Sequence, residues 1–75
     1  MTFERAKQVA KKYNPKVDVY QEYPDVYLFF IEKPTKVEML DNEVIIRKDN
    51  GKIISYTEYI MTSKYADESP IVKHL

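Results

Sequence analysis

Residues 17–31 read Val17-Asp18-Val19-Tyr20-Gln21-Glu22-Tyr23-Pro24-Asp25-Val26-Tyr27-Leu28-Phe29-Phe30-Ile31, and this stretch decides the fold class. Val17, Val19, Gln21 and Tyr23 alternate with Asp18, Tyr20 and Glu22, the period of two that belongs to a strand. Pro24-Asp25 is a turn pair, because proline pre-sets φ for the first central position. Val26 to Ile31 is apolar on both faces and reads as the most buried strand. A two-residue loop at Pro24-Asp25 pairs Tyr23 with Val26, Tyr20 with Phe29 and Val19 with Phe30. Val17, Val19, Leu28 and Phe30 then share one face of the hairpin, and Tyr20, Tyr27, Phe29 and Ile31 the other.

Upstream, the period is that of a helix. Phe3, Ala6, Val9, Ala10 and Tyr13 recur at spacings of three and four and form one apolar stripe. Thr2 can cap the first turn, Glu4 suits its positive end, and Lys11 and Lys12 suit the negative end. Asn14 precedes Pro15, which disfavours the α region and stops the helix. The pattern predicts a helix over residues 2–13.

Downstream, Lys36-Val37-Glu38-Met39-Leu40 can form a short edge strand turned by Asp41-Asn42, while Pro34 argues for a break. Val44-Ile45-Ile46-Arg47 is a strand, followed by the turn signal Asp49-Asn50-Gly51. A type I turn with Gly51 in a bulge pairs Lys48 with Lys52, Ile46 with Ile54 and Val44 with Tyr56. A type I′ turn at Asn50-Gly51 pairs Ile46 with Ser55 instead. The first collects Val44, Ile46, Ile54 and Tyr56 on one face and is favoured. Tyr59-Ile60-Met61 can begin a short helix or extend the strand. Residues 61–75 are a flexible or docked tail, in which Ile71, Val72 and Leu75 are apolar enough to pack.

These elements predict a single α+β domain over residues 1–75. An N-terminal amphipathic helix packs on one face of a three- to four-stranded antiparallel sheet, and the C-terminal tail is irregular or a short helix. A chain of 75 residues buries only about 60% of its unfolded surface, so a deep pocket inside its one core would be costly.

Composition bounds the chemistry. Lys plus Arg and Asp plus Glu are 12 each, for a formal net charge of zero, which argues against nucleic-acid binding as the main role. There is no cysteine, so no disulfide, thiolate metal site or thiol nucleophile, which fits a reducing cytoplasm. No apolar run reaches membrane-spanning length, and the N-terminus does not read as a secretory signal. The sole histidine, His74, lies one residue from the end of the chain, where termini fray. Ser55, Ser63 and Ser69 lack a nucleophile elbow. Asp41, Glu43 and Asp49 do not match a calcium loop and are explained by turns and solvation. The expectation is a non-enzyme without metal or cofactor.

Two surfaces stand out. With the helix on the other side of the sheet, Tyr20, Tyr27, Phe29 and Ile31 form an aromatic face, either a surface for another protein or a second copy, or a second core covered by the tail. Arg5, Lys7, Lys11, Lys12 and Lys16 form a basic face on and beside the helix. It is the solvated side of an amphipathic helix or, alternatively, a nucleic-acid site.

The helix Phe3-Glu4-Arg5-Ala6-Lys7-Gln8-Val9-Ala10, the strands after it and the run Val44-Ile45-Ile46-Arg47-Lys48-Asp49-Asn50-Gly51-Lys52-Ile53-Ile54 together resemble PepSY-like domains. In that family a helix packs on an antiparallel meander ending in a D-x-x-x-G-K hairpin, and here the spacing is shorter. The resemblance covers roughly residues 3–57 and implies a role in binding or restraining a peptidase or another protein. Small bacterial immunity proteins and phage-encoded proteins have a similar look. The combined expectation is a protein-binding module, of inhibitor or immunity type, that acts through the aromatic sheet face or an exposed strand edge.

Overall fold

The computed structural model describes residues 1–37 and 42–75. Helix α1 (Phe3–Tyr13) is followed by strands β1 (Val19–Glu22), β2 (Val26–Phe30), β3 (Val44–Arg47) and β4 (Ile53–Ile54), helix α2 (Tyr56–Thr62) and strand β5 (Lys73–His74). Among the described residues the strands form one antiparallel sheet in the order β4-β3-β2-β1-β5. The fold is α+β, as the pattern predicts, with five strands rather than three or four. The edge strand expected over residues 36–40 falls mainly outside the described residues.

Helix α1 begins where its cap predicts. The Thr2 hydroxyl accepts from the Arg5 N–H at 3.2 Å, satisfying one of the donors a helix start leaves unpaired. At the other end Asn14 adopts an extended conformation, and its N–H still donates to Ala10 O at 2.8 Å.

The β1–β2 hairpin has the register set by its two-residue loop. Val19 lies opposite Phe30 and Tyr20 opposite Phe29, and the Tyr23 N–H donates to Val26 O at 2.9 Å.

The β3–β4 hairpin departs from both turn geometries considered above. Its loop has four residues, Lys48 to Gly51, closed by Arg47 N–H to Lys52 O at 2.9 Å and Gly51 N–H to Arg47 O at 2.9 Å. Gly51 takes φ +72°, the left-handed conformation that glycine adopts without penalty. The Asn50 side chain accepts from the Lys52 N–H at 2.9 Å, which fixes the exit from the turn. Ile46 therefore faces Ile53, and Ile45 faces Ile54. This one-residue difference moves Ile54 to the face opposite Ile46.

Tyr56 leaves the sheet altogether. Ser55 caps α2 by accepting from the Glu58 N–H at 3.0 Å, so the chain turns helical where the strand was expected to continue. Beyond α2 the tail is docked. Lys73 and His74 add a fifth strand beside β1, the Leu75 N–H donates to Asp18 O at 3.0 Å, and the Gln21 amide donates to Pro70 O at 2.7 Å.

Each sheet face carries its own core. Ala6 and Ala10 of α1 pack with Val17, Tyr27, Phe29, Val44 and Ile46, joined at the margin by Phe3, Val9, Tyr20 and Leu75. On the other face Tyr23, Val26, Leu28 and Ile45 pack with Tyr59 of α2, and Phe30, Ile54 and Ala66 border them.

Candidate protein-binding site

The aromatic face that the sequence leaves open is the face α1 covers. Tyr27 is 7% exposed, Phe29 0% and Ile31 8%, and Tyr20 is half-buried. The Phe3 ring sits 4.6 Å from Tyr20, 5.6 Å from Tyr27 and 6.0 Å from Phe29, centroid to centroid. The expected partner surface is therefore corrected: Tyr27, Phe29 and Ile31 are buried, and Tyr20 is half-buried at the margin of the first core. The physical reason is size matching. The buried positions of α1 are two alanines, so the helix backbone approaches a sheet surface made of large rings, and small-on-large packing fills the layer. Lys48 closes one side, with Nζ 4.8 Å from the Tyr27 ring centre and 2.8 Å from Glu22 Oε2.

The second face is covered too. Tyr59 is 4% exposed, and its ring meets Tyr23 edge-on at 5.5 Å. One carboxylate holds it there. Asp25 Oδ1 accepts from the Tyr59 hydroxyl at 2.9 Å, and Asp25 Oδ2 accepts from the Ser63 hydroxyl at 2.6 Å. The Ser63 oxygen in turn accepts from the Tyr65 N–H at 3.1 Å, and Asp25 O accepts from the Lys48 N–H at 3.0 Å. Burial, and secondarily the adjacent Asp25 carboxylate, push the Tyr59 phenol up to about 12. Burial is also the main reason the Tyr23 phenol is raised. The hydroxyls of Tyr59 and Ser63 are both committed to one acceptor, so the cluster fastens α2 to the β1–β2 turn and presents no activated nucleophile. Sequence reading missed it because its members are 34 and 38 positions apart.

The remaining sequence candidates scatter. Among the described residues no group of three or more His, Cys, Asp or Glu side chains could hold a metal ion. His74 Nε2 lies 3.9 Å from Glu32 Oε2 with both side chains exposed. The basic residues of α1 do not form one face. Lys11 Nζ donates to Val17 O at 2.7 Å, Lys7 lies on the same flank one turn back, and Lys16 is beyond the helix. Arg5 and Lys12 occupy the other flank.

That second flank borders a groove of about 560 Å³ lined by Arg5, Gln8, Val9, Lys12, Tyr13 and Ile53. Tyr13, which the helical stripe marks as core, is 62% exposed, and Ile53 is 39% exposed. Tyr13 is the last residue of α1, and β4 has only two residues. The floor is thus apolar, and its two cations make no ion pair among the described residues. The sheet edge beside it is only partly available. The Arg47–Lys52 bond turns Lys52 and Ile54 toward β3, which leaves the N–H and C=O of Ile53 facing outward. Both edge strands, β4 and β5, have two residues, which limits pairing with another strand.

A second groove, of about 620 Å³, runs between the β1–β2 turn and residues 68–71 and is lined by Glu22, Lys48, Glu68 and Lys73 among others. Its charges are of both signs, and Lys48 is already paired with Glu22.

Compared with protein-family models, with curated proteins and with solved structures, the chain matches none. Among the described residues no helix is long and apolar enough to cross a membrane.

Proposed function

We propose that the chain is a non-enzymatic protein-binding module of inhibitor or immunity type, working in the cytoplasm through the groove between α1 and β4. The observation that carries this reading is the apolar strip of exposed Tyr13 and Ile53 and half-buried Val9 beside two cations that make no ion pair among the described residues. Aromatic and arginine side chains at the centre of such a patch are the usual anchors of protein interfaces. The role is the one the PepSY-like resemblance implies, moved from the sheet face to the flank of the helix. Both sheet faces are filled from within the chain, and of the two grooves the flank of the helix is the one whose charged lining is cationic alone.

The test is site-specific photo-crosslinking in the native host, with a benzophenone amino acid at Tyr13 and, as control, at Lys33. The expected result is a discrete protein adduct from position 13 and none from position 33. Equal labelling at both positions, or an adduct only with nucleic acid, overturns the reading.

A further inference from the structure

The geometry of the α1–β4 groove points to the kind of segment it takes. We propose that it binds an acidic amphipathic helix of a partner protein, laid along α1. This deepens the reading above and rests on it.

The charges and their spacing carry the argument. Arg5 and Lys12 lie on one flank of α1, seven positions apart, which is two turns or about 10 Å along the axis. A helix running alongside repeats the same spacing, so Asp or Glu side chains seven positions apart on it meet both cations at once. Val9 lies midway between Arg5 and Lys12, and Tyr13 and Ile53 continue the apolar strip. Apolar side chains three and four positions after the first carboxylate fall over that strip. An added strand suits the site less, because only Ile53 offers its backbone outward.

A second copy of this chain is disfavoured by charge. A two-fold arrangement through this groove sets Arg5 and Lys12 against the same two cations, and like charges brought together at an interface are costly. Nucleic acid fits poorly as well, since its phosphates would lie across an apolar floor in a chain whose formal net charge is zero.

The experiment is an NMR titration of the full chain with a synthetic helical probe. The probe carries two Glu residues seven positions apart with two leucines between them; a second probe has Lys in place of Glu, and a third ligand is a single-stranded DNA oligonucleotide. The expected result is amide shifts confined to α1 and β4 with the Glu probe, weakened at least about tenfold in the variant Arg5→Glu/Lys12→Glu. That variant should regain binding with the Lys probe. Both residues are exposed, and an unchanged thermal melt of the variant confirms that its fold is intact. Equal binding of both probes to the wild-type chain, no shifts at millimolar Glu probe, or shifts with the oligonucleotide alone overturns the proposal. A position-13 adduct with a host protein, obtained alongside such a failure, leaves the binding module standing and refutes only the acidic helix.

Discussion

Asp25, in the turn between β1 and β2, accepts a hydrogen bond from the Tyr59 hydroxyl at 2.9 Å across 34 positions of sequence. This bond and its companion from Ser63 fasten α2 over the second sheet face. Hydrogen bonds to a charged group contribute about 1.5–3 kcal/mol. Tyr59→Phe keeps the ring packing and leaves Asp25 with Ser63, so it should cost about 1–2 kcal/mol. Asp25→Ala strands both hydroxyls and should cost more, about 2–3 kcal/mol. Because the residues share one acceptor, the double variant should fall short of the sum. Urea denaturation of the three variants checks this.

Alkaline pH tests the same contact. The Tyr59 phenol is raised from 10.0 to about 12 in the folded chain. Between those values the unfolded chain has released the proton and the folded chain retains it, so stability falls as pH rises. The contribution is complete below about pH 10 and is lost by about pH 12, a total of about 2–3 kcal/mol. Tyr23, shifted in the same direction, adds to the slope. Circular dichroism in urea across this range should show a shallower pH dependence for Tyr59→Phe than for the wild-type chain.

The two ends of the aromatic set should respond very differently to truncation. Phe29 is wholly buried under α1, and Phe29→Ala should cost about 3–5 kcal/mol, enough to unfold a domain of this size. Tyr13 is mostly exposed, and Tyr13→Ala should change stability by less than about 1 kcal/mol. Thermal melts separate the two outcomes.

At the β3–β4 turn, Gly51→Ala should destabilise by about 1–2 kcal/mol, because φ +72° places a Cβ in the left-handed region. A Cβ there also comes within 2.7 Å of the Met1 Cε, the far end of a flexible side chain that can move away. Asn tolerates this conformation better, so Gly51→Asn should cost less than Gly51→Ala.

Local pattern made α1 and the β1–β2 register legible. A capped stripe at helical spacing and a two-residue Pro24-Asp25 loop leave few alternatives, and Val19 opposite Phe30 follows directly. Which face the helix takes was not legible from parity. Alternation sorts Tyr20, Tyr27 and Phe29 from Leu28 and Phe30, but it carries no label for the side where α1 lands. The signal was in side-chain volume, since Ala6 and Ala10 need large partners across the layer. Ser55-Tyr56-Thr57-Glu58 has the spacing of a capping box, and it marks the start of α2 that the strand pattern obscured. The turn after β3 was recognised, but a loop of four residues instead of three reversed the face of Ile54.

The functional surface was legible only in part. Arg5 and Lys12 were among the basic candidates, yet their separation from Lys7 and Lys11 depends on where the helix docks. Tyr13 continued the apolar stripe and read as core. In the fold it is 62% exposed. The Asp25–Tyr59–Ser63 cluster required the tertiary fold to be seen at all.

The central structural claim is that α1 covers the Tyr20–Tyr27–Phe29 face while Tyr59 covers the other. Aromatic nuclear Overhauser contacts test it most directly. Cross-peaks are expected from the Phe3 ring to Tyr20, Tyr27 and Phe29 and from the Tyr59 ring to Tyr23, with none from Phe3 to Leu28 or Ile45. Cross-peaks from Phe3 to Leu28 or Ile45, with Phe29 free of helix contacts, would contradict it.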